Sequence, residues 1–158
     1  MNISSELLDE IVAHALEDSK NEVCGVVAVE PGQSNSEGSP TESGPPARAA
    51  RSARPARSAR AARVYRATNV YASPLKFQIE GKELLELWNA CQEVGDLGAI
   101  YHSHVRSEPY PSQTDINFAA NWPGVEWIIV GLSDGEAPEV RSYLVEDGRV
   151  REVALEVE

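Results

Sequence analysis

Two of the three histidines in this chain lie one residue apart, in the segment YHSHVRSEPYPSQTD at residues 101–115. Side chains at positions i and i+2 of a β-strand point to the same side of the sheet. His102 and His104 end the apolar stretch LGAIYHSH, so an extended backbone would aim both imidazoles at one point. Two converging imidazoles are typical ligands of a zinc ion.

A catalytic zinc site commonly uses three protein ligands and leaves a fourth position for water. Asp115 lies eleven residues after His104, beyond a turn that contains Pro109 and Pro111, and that turn could return its carboxylate to the strand end. A structural alternative exists, because Ser112 and Asp115 also have the spacing of a capping box that begins a helix. The two roles can coexist if Ser112 begins the helix while Asp115 turns toward a metal.

The elements that must position these residues are predicted from hydrophobic periodicity and turn signals. Helices are predicted at 4–19 with Ser4 as the N-cap, at 83–94 and at 112–122. Strands are predicted at 22–30, 63–69, 96–104 and 125–133, with a short extended piece possible at 76–79 and a closing hairpin at 139–157 that turns at Asp147 and Gly148. This order predicts an α/β domain with a mixed central β-sheet and helices packed on its faces.

Residues 32–62 interrupt the pattern. The segment consists largely of Pro, Gly, Ser, Ala and Arg with almost no large apolar residue, so we predict a disordered insertion. Arginine recurs at every third position from Arg48 to Arg66. We favour a low-complexity surface loop. The alternative is a basic arm that binds an acidic partner or the acidic body of the protein itself.

Charge and composition narrow the class of protein. The net charge of −11 argues against nucleic acid as a partner. The absence of a run of about 18 apolar residues and of a signal-peptide pattern predicts no membrane association and a cytoplasmic location. Cys24 and Cys91 are too few for a disulfide framework and are predicted to be buried thiols. The third histidine, His14, lies in the first predicted helix and is not expected to be a ligand.

The segment HSHVRSEPYPSQTD resembles the signature of the JAMM (MPN+, Mov34/PAD-1-like) zinc metallopeptidase family, which is His-[Ser/Thr]-His, seven residues, Ser, two residues, Asp. That family also has a glutamate well upstream, and Glu22 in NEVCGVVA is similar to it. The resemblance covers the chain except about residues 32–62. EVCGV and YHSH…YPSQTD look most like the bacterial CysO-cysteine peptidase subgroup.

The resemblance implies a single JAB/MPN-type domain over residues 1–158 with one Zn²⁺ per chain, held by His102, His104 and Asp115. It implies that Glu22 is the general base and then the general acid, and that Ser112 hydrogen-bonds the oxyanion. Ser103, between the histidines, is expected to point to the opposite face of the sheet and to have a structural role.

By the same resemblance, the protein is expected to be a zinc-dependent peptidase. Its partner would be a small ubiquitin-like sulfur-carrier protein, from whose C-terminus it releases an amino acid such as cysteine. The alternative is an isopeptidase that removes ubiquitin-like modifiers from lysines. A non-catalytic binding module of the same fold is less favoured, because the ligand set is complete. The oligomeric state is not predicted.

Overall fold

The computed structural model describes residues 1–31, 59–133 and 137–158. These residues form three helices, α1 (Ser5–Glu17), α2 (Gly81–Val94) and α3 (Gln113–Ala119). They also form eight strands, β1 (Asn2–Ile3), β2 (Cys24–Val29), β3 (Ala61–Ala67), β4 (Asp96–His104), β5 (Glu126–Gly131), β6 (Glu139–Glu146), β7 (Arg149–Val153) and β8 (Glu156–Val157). In this part of the chain no helix is both long and apolar enough to cross a bilayer.

Six strands form one mixed sheet in the order β3-β2-β4-β5-β6-β7. The β4–β5 pair is parallel and the other neighbouring pairs are antiparallel. The predicted α/β class with a mixed central sheet is therefore confirmed. All residues of β2 and β5 and the last six of β4 are buried, as expected for strands that are covered on both faces.

The alternation of side chains divides the core into two layers. Cys24, Ile100 and Trp127 lie on the face that packs against apolar residues of α2 and α3. Tyr101 and Ile128 lie on the other face, which α1 covers. Both thiols are buried and free, as predicted, and burial raises the pKa of Cys24 to about 12. Because β4 alternates in the same way, its two histidines belong to the α2–α3 face.

The chain returns to the sheet earlier than the sequence suggested. β3 begins at Ala61, which is buried and pairs with Val29, so residues 59–62 belong to the fold and not to the predicted insertion. Alanine and arginine continue the low-complexity composition into the strand, which concealed its start. The remainder of the predicted insertion, 32–58, lies outside the described residues.

The closing hairpin turns where predicted, since Asp147 and Gly148 have φ angles of 51° and 72°. Its second strand, however, ends at Val153, and the predicted extension to residue 157 is wrong. The last residues form β8, which pairs in parallel with β1 through Asn2 and Glu156. Val153, Leu155 and Val157 keep the alternation of a single strand. Periodicity alone therefore could not show that β7 ends at Val153 and that the next strand pairs with β1 and not with β6.

Gly25 allows a close approach within the sheet. A Cβ added there would overlap the Tyr101 ring and the main-chain oxygen of Tyr65. We therefore expect Gly25→Ala to lower the free energy of unfolding by about 1–3 kcal/mol. Gly81→Ala is the matched control, because a Cβ at Gly81 meets nothing within 4 Å. Denaturant titration should show Gly81→Ala unchanged or slightly stabilised, and equal stabilities of the two variants would contradict this account.

Candidate active site

The C-terminal end of β4 positions both histidines of the sequence motif. His102 pairs with Cys24 of β2 on one side and with Ile129 of β5 on the other, and His104 lies opposite Gly131. Because β4 is hydrogen-bonded on both edges here, the backbone that carries the two imidazoles is held within the sheet. Both histidines are buried, at 0% and 4% exposure.

Three side-chain atoms that could bind a metal ion converge at this strand end. The Nε2 atoms of His102 and His104 are 3.0 Å apart, and Asp115 Oδ2 lies 3.3 Å from the first and 3.5 Å from the second. A tetrahedral zinc ion with bonds of about 2.0–2.1 Å keeps its ligand atoms about 3.3–3.4 Å apart. Among the described residues this is the one group of three His, Cys, Asp or Glu side chains with converging ligand atoms. The distances between these atoms and their chemical types fit zinc.

The His104 ring is oriented by the loop that follows β4. Its Nδ1 lies 2.8 Å from the main-chain oxygen of Glu108 and 3.2 Å from Ser107 Oγ. A carbonyl oxygen only accepts, so Nδ1 carries the proton and donates it. In the neutral ring Nε2 then presents a lone pair toward Asp115 and His102. A metal-ligating histidine commonly has this arrangement, which fixes the tautomer and the ring plane.

Ser112 and Asp115 form the capping box that begins α3, and the same geometry presents the carboxylate to the histidines. Asp115 Oδ2 accepts hydrogen bonds from Ser112 N at 2.7 Å and from Ser112 Oγ at 2.8 Å, while Asp115 N donates to Ser112 Oγ at 3.2 Å. The structural alternative and the metal hypothesis therefore describe one arrangement. The cap orients the oxygen atom that meets both imidazoles.

Electrostatics favour the ionised form of Asp115 and the neutral form of His102, which are the forms that bind a cation, but in the metal-free protein they favour protonation of His104. Burial alone would raise the pKa of Asp115, but the adjacent His102 and His104 hold it well below its usual range. Burial lowers the pKa of His102. Burial would also lower the pKa of His104, but its contacts with Asp115 and the Glu108 carbonyl outweigh this and raise it.

Glu22 lies beside this group although it is far away in sequence. Extending the antiparallel register by two residues from the Cys24–His102 pair places Glu22 level with His104. Its side chain is buried, and burial raises its pKa to about 7. His104 lowers this pKa and Asp115 raises it, both by smaller amounts. A carboxylate with this pKa can take up and release a proton at neutral pH.

The raised pKa of Glu22 predicts a pH-dependent cost to stability. The folded state holds a proton between pH 4.5 and about 7 that the unfolded state releases, so stability falls as pH rises through this window. In chelator-treated protein, Glu22→Gln should be more stable than the wild type at pH 8, by on the order of 3 kcal/mol. The two should be alike near pH 4.5 in urea titrations, and a difference independent of pH would contradict the argument.

Ser103 and His14 lie at the predicted positions, away from the candidate metal-binding atoms. Ser103 is buried on the opposite face, where its Oγ accepts a hydrogen bond from Val23 N at 3.0 Å. His14 lies on α1, and its Nδ1 is 2.7 Å from the Tyr101 hydroxyl. Ser103 thus points to the opposite face, as predicted, and His14 lies on the face that α1 covers, away from His102, His104 and Asp115.

The loop between β3 and α2, residues 68–80, contributes contacts that the sequence analysis did not anticipate. Phe77 stacks on the His102 ring with centroids 4.5 Å apart, and the main-chain oxygen of Ser73 accepts a hydrogen bond from Glu22 N at 2.8 Å. The predicted extended piece at 76–79 forms no strand, but Phe77 and Ile79 are buried. The alternation of apolar Phe77 and Ile79 was the signal in the sequence that could have predicted that this loop packs against the core.

The sequence of this chain is similar to those of known proteins. The chain matches the family described as prokaryotic homologs of the JAB domain over residues 4–146. It is 31% identical over 156 residues to the CysO-cysteine peptidase of Mycobacterium tuberculosis, and this alignment covers 98% of this chain and 89% of that protein. A desampylase of Pyrococcus furiosus is 34% identical over 88 residues, covering 54% of this chain and 59% of that protein.

A solved structure supports the same fold. The solution structure of a protein from Desulfitobacterium hafniense superposes with a TM-score of 0.73 at 21% identity, covering 99% of this chain and 92% of that one. The resemblance found in the sequence motif therefore extends over nearly the whole chain. The chain belongs to the prokaryotic JAB domain family and is a peptidase of the JAMM type.

Proposed function

We propose that the protein is a zinc-dependent peptidase that hydrolyses a peptide bond at the C-terminus of a small ubiquitin-like sulfur-carrier protein. The released product would be an amino acid such as cysteine. The observation that carries the chemistry is the buried triangle of His102, His104 and Asp115 with Glu22 beside it. The similarity to a CysO-cysteine peptidase over nearly the full length supports the substrate class.

In this proposal His102, His104 and Asp115 hold Zn²⁺. Zinc supplies a Lewis acid that lowers the pKa of water to about 7 and polarises the scissile carbonyl. Glu22 accepts the proton of the attacking water and later delivers it to the leaving amine. Burial of this carboxyl group opposes its ionisation and a bound zinc ion would favour it, so the group can both accept and release the proton.

Ser112 is proposed to donate a hydrogen bond to the oxyanion of the tetrahedral intermediate. Its hydroxyl lies next to the ligand group, where it donates to Asp115 Oδ2 at 2.8 Å. Rotation of this hydroxyl would redirect the proton toward substrate, while Ser112 N would still hold the Asp115 carboxylate at 2.7 Å. The side chain can therefore serve both the helix cap and the reaction.

Ser112→Ala is accordingly expected to lower kcat by about 10²–10³ while zinc stays bound. It should also cost about 1 kcal/mol of stability through loss of the cap. Ser4→Ala is the matched control, because Ser4 caps α1 by accepting a hydrogen bond from Leu7 N at 3.3 Å. Steady-state kinetics should show full activity for Ser4→Ala. If the two variants are equally active, Ser112 has only a capping role.

An isopeptidase is the second candidate, and the similarity of about half of the chain to a desampylase favours it. The two candidates differ in the amine that leaves, which is an α-amine in the first and a lysine ε-amine in the second. Parallel incubations of a carrier with a C-terminal cysteine and a carrier linked to lysine, followed by mass analysis, separate them. We expect faster cleavage of the cysteine adduct, and a preference for the lysine-linked carrier would reverse the assignment.

A further inference from the structure

The loop at residues 68–80 is organised by the side chain of Asn69. Asn69 Oδ1 accepts hydrogen bonds from Tyr71 N and Gln78 N, both at 3.1 Å. Asn69 Nδ2 donates to the main-chain oxygen of Glu22 at 2.9 Å and to that of Lys76 at 3.1 Å. A flipped amide would face two donors with a donor, so this orientation is set by the partners.

One amide thus links the two ends of the loop to the residue that carries the proposed base. A second bond strengthens the link, because Glu22 N donates to the Ser73 oxygen at 2.8 Å. Both main-chain polar groups of Glu22 are therefore bonded to this loop. Glu22 precedes β2, so the sheet does not supply these partners. The loop therefore supplies the hydrogen bonds to the main chain of Glu22, while the next residue, Val23, is bonded to Ser103 of β4.

The same loop meets a ligand histidine through Phe77. Ligand histidines commonly donate their second ring N–H to an acceptor, which fixes the ring. His102 Nδ1 is buried and has no hydrogen-bond partner in the described part of the chain. Aromatic contacts surround the ring instead: Phe77 stacks on it at 4.5 Å and 27°, and Trp127 meets it edge-on at 6.2 Å and 76°.

We propose that the loop at residues 68–80 positions the general base and one metal ligand together, with Asn69 holding Glu22 and Phe77 holding the His102 ring. This inference rests on the proposed zinc peptidase function. Asn69 and Phe77 are positioning residues, since each acts through a neighbour. Aromatic stacking replaces the hydrogen bond that usually orients a ligand histidine, so zinc affinity depends on the flat face of Phe77.

The zinc dissociation constant of the full chain tests the Phe77 contact, measured by competition with a chromophoric chelator. Phe77→Leu keeps an apolar side chain in the core but removes the flat ring. We expect it to weaken zinc binding about 10–100-fold. Phe118→Leu is the matched control, because Phe118 contacts Phe77 and Trp127 but makes no ring contact with His102 among the described residues. It should bind zinc like the wild type.

Equal zinc affinities of Phe77→Leu and Phe118→Leu, whether both normal or both reduced, would overturn the proposed role of Phe77. Melting temperatures of the metal-free proteins separate this outcome from a general loss of stability. A wild-type chain that binds no zinc would instead contradict the proposed function itself. The two failures are therefore distinguishable in one titration series.

The Asn69 contact is tested by two variants that divide its hydrogen bonds. Asn69→Ala removes all four, whereas Asn69→Asp keeps an acceptor for Tyr71 N and Gln78 N but cannot donate to the main-chain oxygens of Glu22 and Lys76. We expect kcat to fall about 10–100-fold in both. In Asn69→Asp, which keeps the bond from Gln78 N beside Phe77, KM and the zinc dissociation constant should stay nearly unchanged. Wild-type kcat in Asn69→Asp would show that the donated bond to Glu22 is dispensable and would overturn this part. A loss of zinc affinity in Asn69→Asp equal to its loss of kcat would also overturn this part.

Discussion

Replacing His102 with alanine is expected to abolish stoichiometric zinc binding and, with it, peptidase activity. His102 is fully buried, and its Nε2 lies 3.0 Å from His104 Nε2 and 3.3 Å from Asp115 Oδ2. Removing it leaves two protein ligands where a catalytic zinc site commonly has three. Metal analysis of the purified protein should find one zinc per chain in the wild type and none above background in the variant.

His14→Ala is the control for this experiment. His14 is the remaining histidine, and it lies on the opposite face of the sheet with its Nδ1 2.7 Å from the Tyr101 hydroxyl. Its replacement removes an imidazole without touching the ligand group, so zinc content should stay at one per chain. If His102→Ala retained zinc, or if both variants lost it, the assignment of His102 as a ligand would be contradicted.

Glu22→Gln is expected to separate metal binding from turnover. The amide is nearly the same size as the carboxyl group but cannot accept the proton of the attacking water. We expect kcat to fall by about 10²–10⁴ while zinc content and KM stay close to the wild type. Glu17→Gln serves as the control, because Glu17 is on α1 and pairs with Arg66 at 2.8 Å. Retained turnover in Glu22→Gln would remove Glu22 from the mechanism.

The pH dependence of kcat/KM is a second test of the role of Glu22. Glu22 must be ionised to act as a base. Burial raises its pKa to about 7 in the metal-free protein, and a bound zinc ion would lower it again. In the wild type, kcat/KM should therefore fall as pH is lowered through the ionisation of this group. The residual activity of Glu22→Gln should lack that limb. An identical acid limb in both proteins would assign it to another group.

The candidate metal-binding group could be predicted from the sequence because its geometry is mainly local. His102 and His104 share a face through the two-residue period of a strand, and both fall on the α2–α3 side as that period requires. Asp115 follows after one turn, in a capping box whose spacing is visible in the sequence. Glu22 is different. Its place depends on the pairing of β2 with β4, which only the family resemblance could suggest.

The features that the sequence did not show depend on distant partners. Asn69 and Phe77 lie in a loop with no strand or helix of its own, and their roles come from contacts with Glu22 and His102. The pairing of β1 with β8 joins two segments of two residues each, too short for a periodic signal. The early start of β3 at Ala61 was concealed by low-complexity composition. Tertiary partners, and not local propensity, decide each of these cases.

The most direct test of the central claim is the mass of a ubiquitin-like carrier with a C-terminal cysteine after incubation with this protein. Zinc-loaded wild-type protein should shorten the carrier by one cysteine residue. Chelator-treated protein should leave it intact, zinc-loaded Glu22→Gln should cleave it at least about 100-fold more slowly than the wild type, and zinc added back should restore cleavage to the chelated wild type. Cleavage that persists at the wild-type rate without metal or in Glu22→Gln, or a carrier that zinc-loaded wild-type protein leaves unchanged, would contradict the account.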